Sequence, residues 1–279
     1  MRRFLSVTDT GSQTLTSNTQ PQKEVSPSVL GDITSFEIET TASATGTLTS
    51  ANGTNAVVNT FAVSDKNHKS LESFYGSEIP YLAFLTSPRG TYTAPTTVTG
   101  TSATDKWEIA LPAKLAAQPL FVKITLAAYS ALASSGATGG SGEVVVNAYY
   151  EDDPQVQAGI ITHGVTFFDL ATVNGDTDLS PNLTKGQNLV QLAWRMTSGS
   201  DSNFTYYTLN HQGNVYFSEE KTSALIARDT IATVSGHQAG FFISAMSPFI
   251  PDSTTYFHIQ GSAADTARVY QVLLSPTGL

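Results

Sequence analysis

The spacing of the apolar runs limits this chain more than any other feature. Apolar and β-branched residues gather in short runs, among them 33–40, 57–63, 107–111, 120–126, 143–150, 160–168, 189–196, 204–209, 239–244 and 267–274, with glycine, proline, asparagine and other polar residues between them. Much of 33–40 alternates apolar with polar, and a period of two puts successive side chains on opposite faces of a strand. Threonine points the same way: 38 residues, about one in seven, are Thr, and a β-branched side chain suits a pleated surface. Lys and Glu, the usual coat of a helix, are scarce, and charged residues make up 13 % of the chain, roughly half the usual share. These features argue against a helical bundle and against an α/β enzyme built on amphipathic helices. The 14 Phe, 11 Tyr and 2 Trp supply too much apolar area for a disordered chain. A length of 279 residues allows one large β domain or two of about 130 residues.

The net charge is −9 and no Lys/Arg stripe is visible, which argues against a direct grip on nucleic acid. Cysteine is absent, which removes disulfides, thiolate metal sites and cysteine nucleophiles. There is no run of about 18 apolar residues of the kind a membrane-crossing helix needs. The start, Met1-Arg2-Arg3-Phe4-Leu5, has a basic tip but too short an apolar stretch for a secretion signal. A soluble chain, unprocessed at its start, is expected.

Along the chain, residues 1–30 are polar and contain Pro21 and Pro27, and they read as an extended N-terminal arm that orders on contact. Residues 31–153 and 154–279 read as two strand-rich halves, divided at Glu151-Asp152-Asp153-Pro154. Asn52-Gly53 carries a tight-hairpin signal. Ser64 as N-cap, Leu71, Phe74 and Tyr75 at helical spacing and Gly76 as terminator predict a short helix over 64–76, with extended chain over 79–85. The Ser/Gly-rich 127–142 reads as a flexible loop between the paired runs 120–126 and 143–150. A second short helix is expected near 218–227. Short strands, turn residues and little helix predict an all-β fold of two eight-stranded jelly rolls with short helical insertions.

Signals for chemistry are sparse. The five histidines, His68, His163, His211, His237 and His258, never fall at metal-binding spacing on one element. Asp152 with Asp153, and Asp176 with Asp178, crowd hard oxygen ligands on short turns and are candidates for structural calcium; solvated turn acids are the plainer reading. No nucleophile elbow, phosphate loop or dinucleotide fingerprint occurs. Glu37, Glu39 and Glu108 lie on expected strands, facing outward. Tyr149, Tyr150, Tyr206 and Tyr207 could form a sugar platform, but in each adjacent pair one ring points inward. Asn52, Asn182 and Asn203 each begin an Asn-x-Thr triplet. Arg2 and Arg3, beside Phe4 and Leu5, could touch anionic lipid at about 1 kcal/mol per basic residue.

The block 71–80, Leu-Glu-Ser-Phe-Tyr-Gly-Ser-Glu-Ile-Pro, and the following 81–90, ending Ser-Pro-Arg-Gly, resemble a stretch in double jelly-roll major capsid proteins of tailless icosahedral phages with an internal membrane, of the corticovirus, tectivirus and Finnlake-virus type. There, a short helix ending in an aromatic-Gly pair precedes a strand and an Arg-bearing turn. The runs 107–111 and 120–124 are similar to that family's next strands, and 186–192 and 210–214 to strand and turn of its second jelly roll. The resemblance covers most of the chain as an order of elements. It implies a non-enzymatic virion protein, made in the host cytoplasm, that needs no cofactor. It further implies a homotrimer of pseudo-sixfold outline that meets neighbouring trimers, minor capsid or penton proteins and, through the N-terminal arm, an internal membrane. The alternatives are a receptor- or glycan-binding spike or adhesin and a glycan-active enzyme.

Overall fold

The computed structural model describes residues 2–17, 22–25, 32–64, 67, 70–86, 91–110, 120–151, 163–172, 175–232 and 236–274. The chain divides into two compact units, Met1–Ser87 with Tyr92–Ile160, and a second that contains Ile161–Leu279.

The strands of the first unit are β1 (Arg2–Asp9), the two-residue β2 (Gln13–Thr14), β3 (Gln22–Val25), β4 (Asp32–Ala51), β5 (Val58–Ser64), β6 (Ser70–Tyr75), β7 (Ala103–Ala110), β8 (Phe121–Leu126) and β9 (Ala133–Glu151), with helix α1 (Ile79–Thr86) between β6 and β7. They form two antiparallel sheets, β1-β9-β4-β7 and β3-β8-β5-β6, and β2 adds to β9. Period-two alternation turns Phe36, Ile38, Thr40, Ala42 and Ala44 of β4 inward. From the other sheet, Phe61 meets Phe36 edge-on at 5.8 Å and stacks on Phe74 at 4.9 Å.

The second unit contains β10 (His163–Thr172), β11 (Gly175–Asp178), β12 (Asn188–Met196), β13 (Phe204–His211), β14 (Asn214–Lys221), helix α2 (Thr222–Ala232), β15 (Phe241–Phe249), β16 (Tyr256–Gly261) and β17 (Asp265–Leu274). Its sheets are β10-β17-β12-β15 and β11-β16-β13-β14. With β2 set aside, each unit pairs its first, eighth, third and sixth strands in one sheet and its second, seventh, fourth and fifth in the other. Each has a helix between its fifth and sixth strands. This is one eight-stranded jelly roll twice over.

Four local expectations are corrected. Much of the polar start is not a free arm: β1 pairs with β9 from Arg2↔Glu151 to Asp9↔Val145, and β3 pairs with β8. These two segments are the first and second strands of the first jelly roll, and their backbone groups are paired within the chain itself. The helix expected over 64–76 is displaced. Residues Ser70–Tyr75 pair with β5, setting Phe74 opposite Phe61, and the helix is Ile79–Thr86. Pro80 sits in its first turn, where a missing N–H costs no intrahelical bond, and Ile79, Leu82, Ala83 and Phe84 are buried.

The runs 120–126 and 143–150 do not pair, because β8 and β9 belong to different sheets. Residues 133–142, expected as a flexible loop, are the first half of β9. Glycine serves close packing there: a Cβ at Gly142 would lie 1.9 Å from Val57 Cγ2. Asn52-Gly53 is not a two-residue hairpin either. Asn52 donates its backbone and side-chain amides to Leu132 O and Ala131 O, and the chain passes through a 3-10 turn, Thr54–Val57, into the other sheet.

Candidate functional site

The second unit is held by an aromatic core. Trp194 on β12 touches Phe204, Tyr207, Phe242 and Phe257, with ring centroids 4.9–6.1 Å apart. That core fixes which way β13 and β16 face. Phe257 and Ile259 point in with Tyr207 and Leu209, so Tyr256, His258, Gln260, Tyr206, Thr208 and Asn210 stand on the opposite face. Register sets Thr208 opposite His258 and Asn210 opposite Tyr256.

Asp176 and Asp178 join this face from β11, opposite Gln260 and His258. They lie on a paired strand and not on a turn. The His258 ring lies against both carboxylates, with Nδ1 2.5 Å from Asp176 Oδ2 and Nε2 3.3 Å from Asp178 Oδ1. Tyr256 stacks on that ring at 3.7 Å and 14°. Burial pushes the Asp178 carboxyl up, but hydrogen bonds from the Ser180 side chain and backbone, with the His258 charge, outweigh it and hold the group below its ordinary value. Among the described residues no group of three or more His, Cys, Asp or Glu could hold a metal ion. Asp152 and Asp153 lie outside the described residues.

The other described histidines are scattered. His211 Nδ1 meets Thr255 Oγ1 at 2.9 Å, and His237 Nε2 lies 3.0 Å from Asp201 Oδ1. A polar chain, buried at Tyr207 and Ser244 and part-buried at Glu220 and Arg228, runs from the core to α2. The Tyr207 hydroxyl donates to Glu220 Oε2 at 2.6 Å and lies 3.1 Å from Ser244 Oγ. Arg228 donates to both Glu220 oxygens and to Ile243 O. Burial and the Glu220 partner push the Tyr207 hydroxyl well up. This locks a helix to a sheet, and it also removes Tyr207 from any sugar platform.

In the first unit Glu37 on β4 accepts Asn147 Nδ2 at 3.2 Å and the Tyr149 hydroxyl at 3.0 Å, and Lys106 Nζ lies 3.3 Å away. Burial raises this carboxyl, but those bonds and the Lys106 charge hold it below its ordinary value. Lys106 also reaches Glu39 at 3.0 Å, and Glu108 accepts Ser35 Oγ at 2.6 Å. These acids lie on one sheet, on the face away from the core. Glu143 is pushed up by burial and then by Asp9 and Glu39. Arg2 and Arg3 open β1, in register with Glu151 and Tyr150. Exposed Phe4 packs edge-on against Tyr149 at 5.6 Å.

Sequence reasoning named Asp176 and Asp178 but not Tyr256. Its signal was the alternation Tyr256-Phe257-His258-Ile259-Gln260, whose even members face away from the core.

Set against solved structures, the chain is similar along nearly its whole length to a chain of the Sulfolobus turreted icosahedral virus, with a TM-score of 0.70 and 16 % identity over 98 % of this chain and 90 % of that one. The double jelly-roll fold is shared. The chain is also similar to the major capsid protein of bacteriophage PM2, with a TM-score of 0.62 and 10 % identity over 100 % of both chains. A chain of the PBCV-1 virus capsid matches with a TM-score of 0.62 and 11 % identity, over 100 % of this chain and 96 % of that one. No protein-family model and no curated protein sequence matches.

Proposed function

We propose that this chain is a major capsid protein, the repeating tile of an icosahedral virion. The observation that carries the reading is the double jelly-roll order along the whole chain, shared at a TM-score of 0.70 with a chain of an icosahedral virus over 98 % of this one. The physical features suit a tile. Antiparallel sheets closed over two cores give stiffness. Thr- and Ser-rich faces with few charges let large surfaces meet without stranding buried ions. The open sheet faces that carry the carboxylates suit a structural role better than a catalytic one.

In this reading three copies associate into a pseudo-hexagonal capsomer, capsomers meet one another and minor or penton proteins, and Arg2 and Arg3 touch an anionic membrane under the shell. Because both arginines belong to β1, the membrane contact comes from the end of a sheet. One copy binds lipid weakly, and a lattice of copies sums the contacts. Sedimentation of the full chain tests the assembly: a trimer is expected, and a monomer at every concentration contradicts it. Flotation with anionic vesicles tests the lipid contact. Replacing Arg2 and Arg3 with Ser is expected to weaken binding most at low salt, where screening is least.

A further inference from the structure

We propose that His258 is a proton-operated clip, which holds the edge strand β11 on the second jelly roll while its ring is charged and loosens that strand when the proton leaves. The inference goes beyond the shell-forming role and does not depend on it. β11 has four residues, Gly175–Asp178, and ends its sheet with β16 as its ladder partner. On its core side the Thr177 hydroxyl is buried and makes no hydrogen bond among the described residues. On its outer side Asp176 and Asp178 both meet one ring, that of His258. A short edge strand with a single ladder opens easily, so side-chain ties of this kind decide how firmly it is held.

The geometry sets which form of the ring fits. An ionised carboxylate only accepts, so Nδ1, 2.5 Å from Asp176 Oδ2, carries a hydrogen and donates it. Nε2 is covered by protein and lies 3.3 Å from Asp178 Oδ1. In the neutral ring that nitrogen is a lone pair set against a carboxylate oxygen. In the charged ring it is an N–H, and both carboxylates gain a charged partner. Asp178 is not free to turn aside, because the same Oδ1 accepts the Ser180 backbone N–H at 2.9 Å. The ring is held too, stacked on Tyr256 at 3.7 Å and 14°. Thr208, opposite His258, and Tyr206 face it from β13. From β14, Glu219 reaches Thr208 Oγ1 through its backbone N–H at 3.2 Å. Among the described residues His258 is the cation that Asp176 and Asp178 meet. Histidine ordinarily changes charge between about pH 5 and 8. The clip is complete while the ring is charged and the carboxylates are ionised. Its contribution is lost as pH rises through the titration of the ring, which leaves two carboxylates on one strand face with one donor between them.

The test is amide hydrogen exchange on the full chain at about pH 5.5 and about pH 8, with rates converted to protection factors so that the intrinsic pH dependence of exchange drops out. Protection of β11 is expected to fall about tenfold at the higher pH, the scale of one hydrogen bond to a charged group. The β12–β17 pairing of the same unit is the internal reference and should not change. Nitrogen-15 shifts of the His258 ring at the lower pH should show both nitrogens protonated. His258→Gln, neutral throughout, is expected to leave β11 loose at both pH values, which separates this ring from the other histidines that titrate in the same range. Asp178→Asn supplies an amide that can donate to the neutral ring, so β11 should stay protected at both. If His258→Gln does not fold, Asp178→Asn carries the test. The proposal is overturned if β11 protection is the same at both pH values, if it falls only together with β12–β17, or if Nε2 is unprotonated at about pH 5.5. It is equally overturned if either folded variant keeps the full drop.

Discussion

In the first jelly roll the longest strands are β4 and β9, which pair from Asp32↔Glu151 to Ala51↔Ala133 and end in Thr, Ser and Gly. In the second, β12, β13, β15 and β16 are shorter and converge on Trp194. Both units answer the same demand, two four-stranded sheets closed over one core, by different means. The first uses a long ribbon, in which glycine lets the layers approach, as at Gly142 against Val57. The second uses large rings and a polar chain through Tyr207, Glu220 and Arg228 that pins α2. Strand order is thus a property of the fold, and core composition a property of each unit.

Each unit contains one tryptophan, so the two can be followed apart. Trp107 is buried in the first and donates to Thr93 O at 3.0 Å; Trp194 is buried in the second. Single-tryptophan variants, with the other ring replaced by Phe, turn emission against denaturant into two separate unfolding curves.

The largest expected effect is removal of residues 1–25. It takes the first strand from one sheet of the first jelly roll and the second strand from the other, and bares the paired edges of β9 and β8. The Trp107 transition should disappear while the Trp194 transition persists. An undisturbed Trp107 curve would restore the free-arm reading. Next is Trp194→Ala, expected to cost about 3–5 kcal/mol and to be read as a loss of thermal and denaturant stability in the second unit. The Trp107 curve should stay in place.

Gly142→Ala is smaller. The added methyl overpacks against Val57, at about 1–3 kcal/mol, and Trp107 should report it. Gly186→Ala is its control in the second unit: open space surrounds the site, and only the positive φ of +77° resists, at roughly 1 kcal/mol.

Acid titration gives the finest contrast. In the second unit Asp178, Asp252 and Asp265 are all held below their ordinary values, Asp252 at about 2 by hydrogen bonds from Thr254 and Gln212. A carboxyl depressed by folding stabilises above its unfolded value, and that gain is lost as pH falls through the folded one. The second unit should therefore weaken as pH drops below about 3.8 toward about 2. In the first unit Glu37 acts in the same sense, but Glu143 is raised by burial and then by Asp9 and Glu39, so its protonation relieves the cost of the buried charge and that repulsion. The Trp107 midpoint should respond more weakly to acid than that of Trp194.

The all-β fold and the two eight-stranded rolls could be read in the chain, because alternation and turn residues are local signals. Pairing could not. The Ser/Gly run before 143 looks like a loop until Gly142 is seen against Val57, and Gln22–Val25 looks like an arm until β8 lies beside it. Phe74 and Tyr75 fit either period over so short a stretch, and contact with Phe61 decides for strand. Asp176 and Asp178 were visible as paired carboxylates, but the imidazole between them comes from a strand 80 residues onward, a separation that no motif spans.

Cryo-electron microscopy of the purified full chain at rising concentration tests the central claim most directly. The account predicts trimeric capsomers of pseudo-sixfold outline, two jelly rolls per copy, associating into sheets or closed shells. Isolated monomers at all concentrations, or oligomers in which the jelly rolls make no repeating lattice contact, would contradict it.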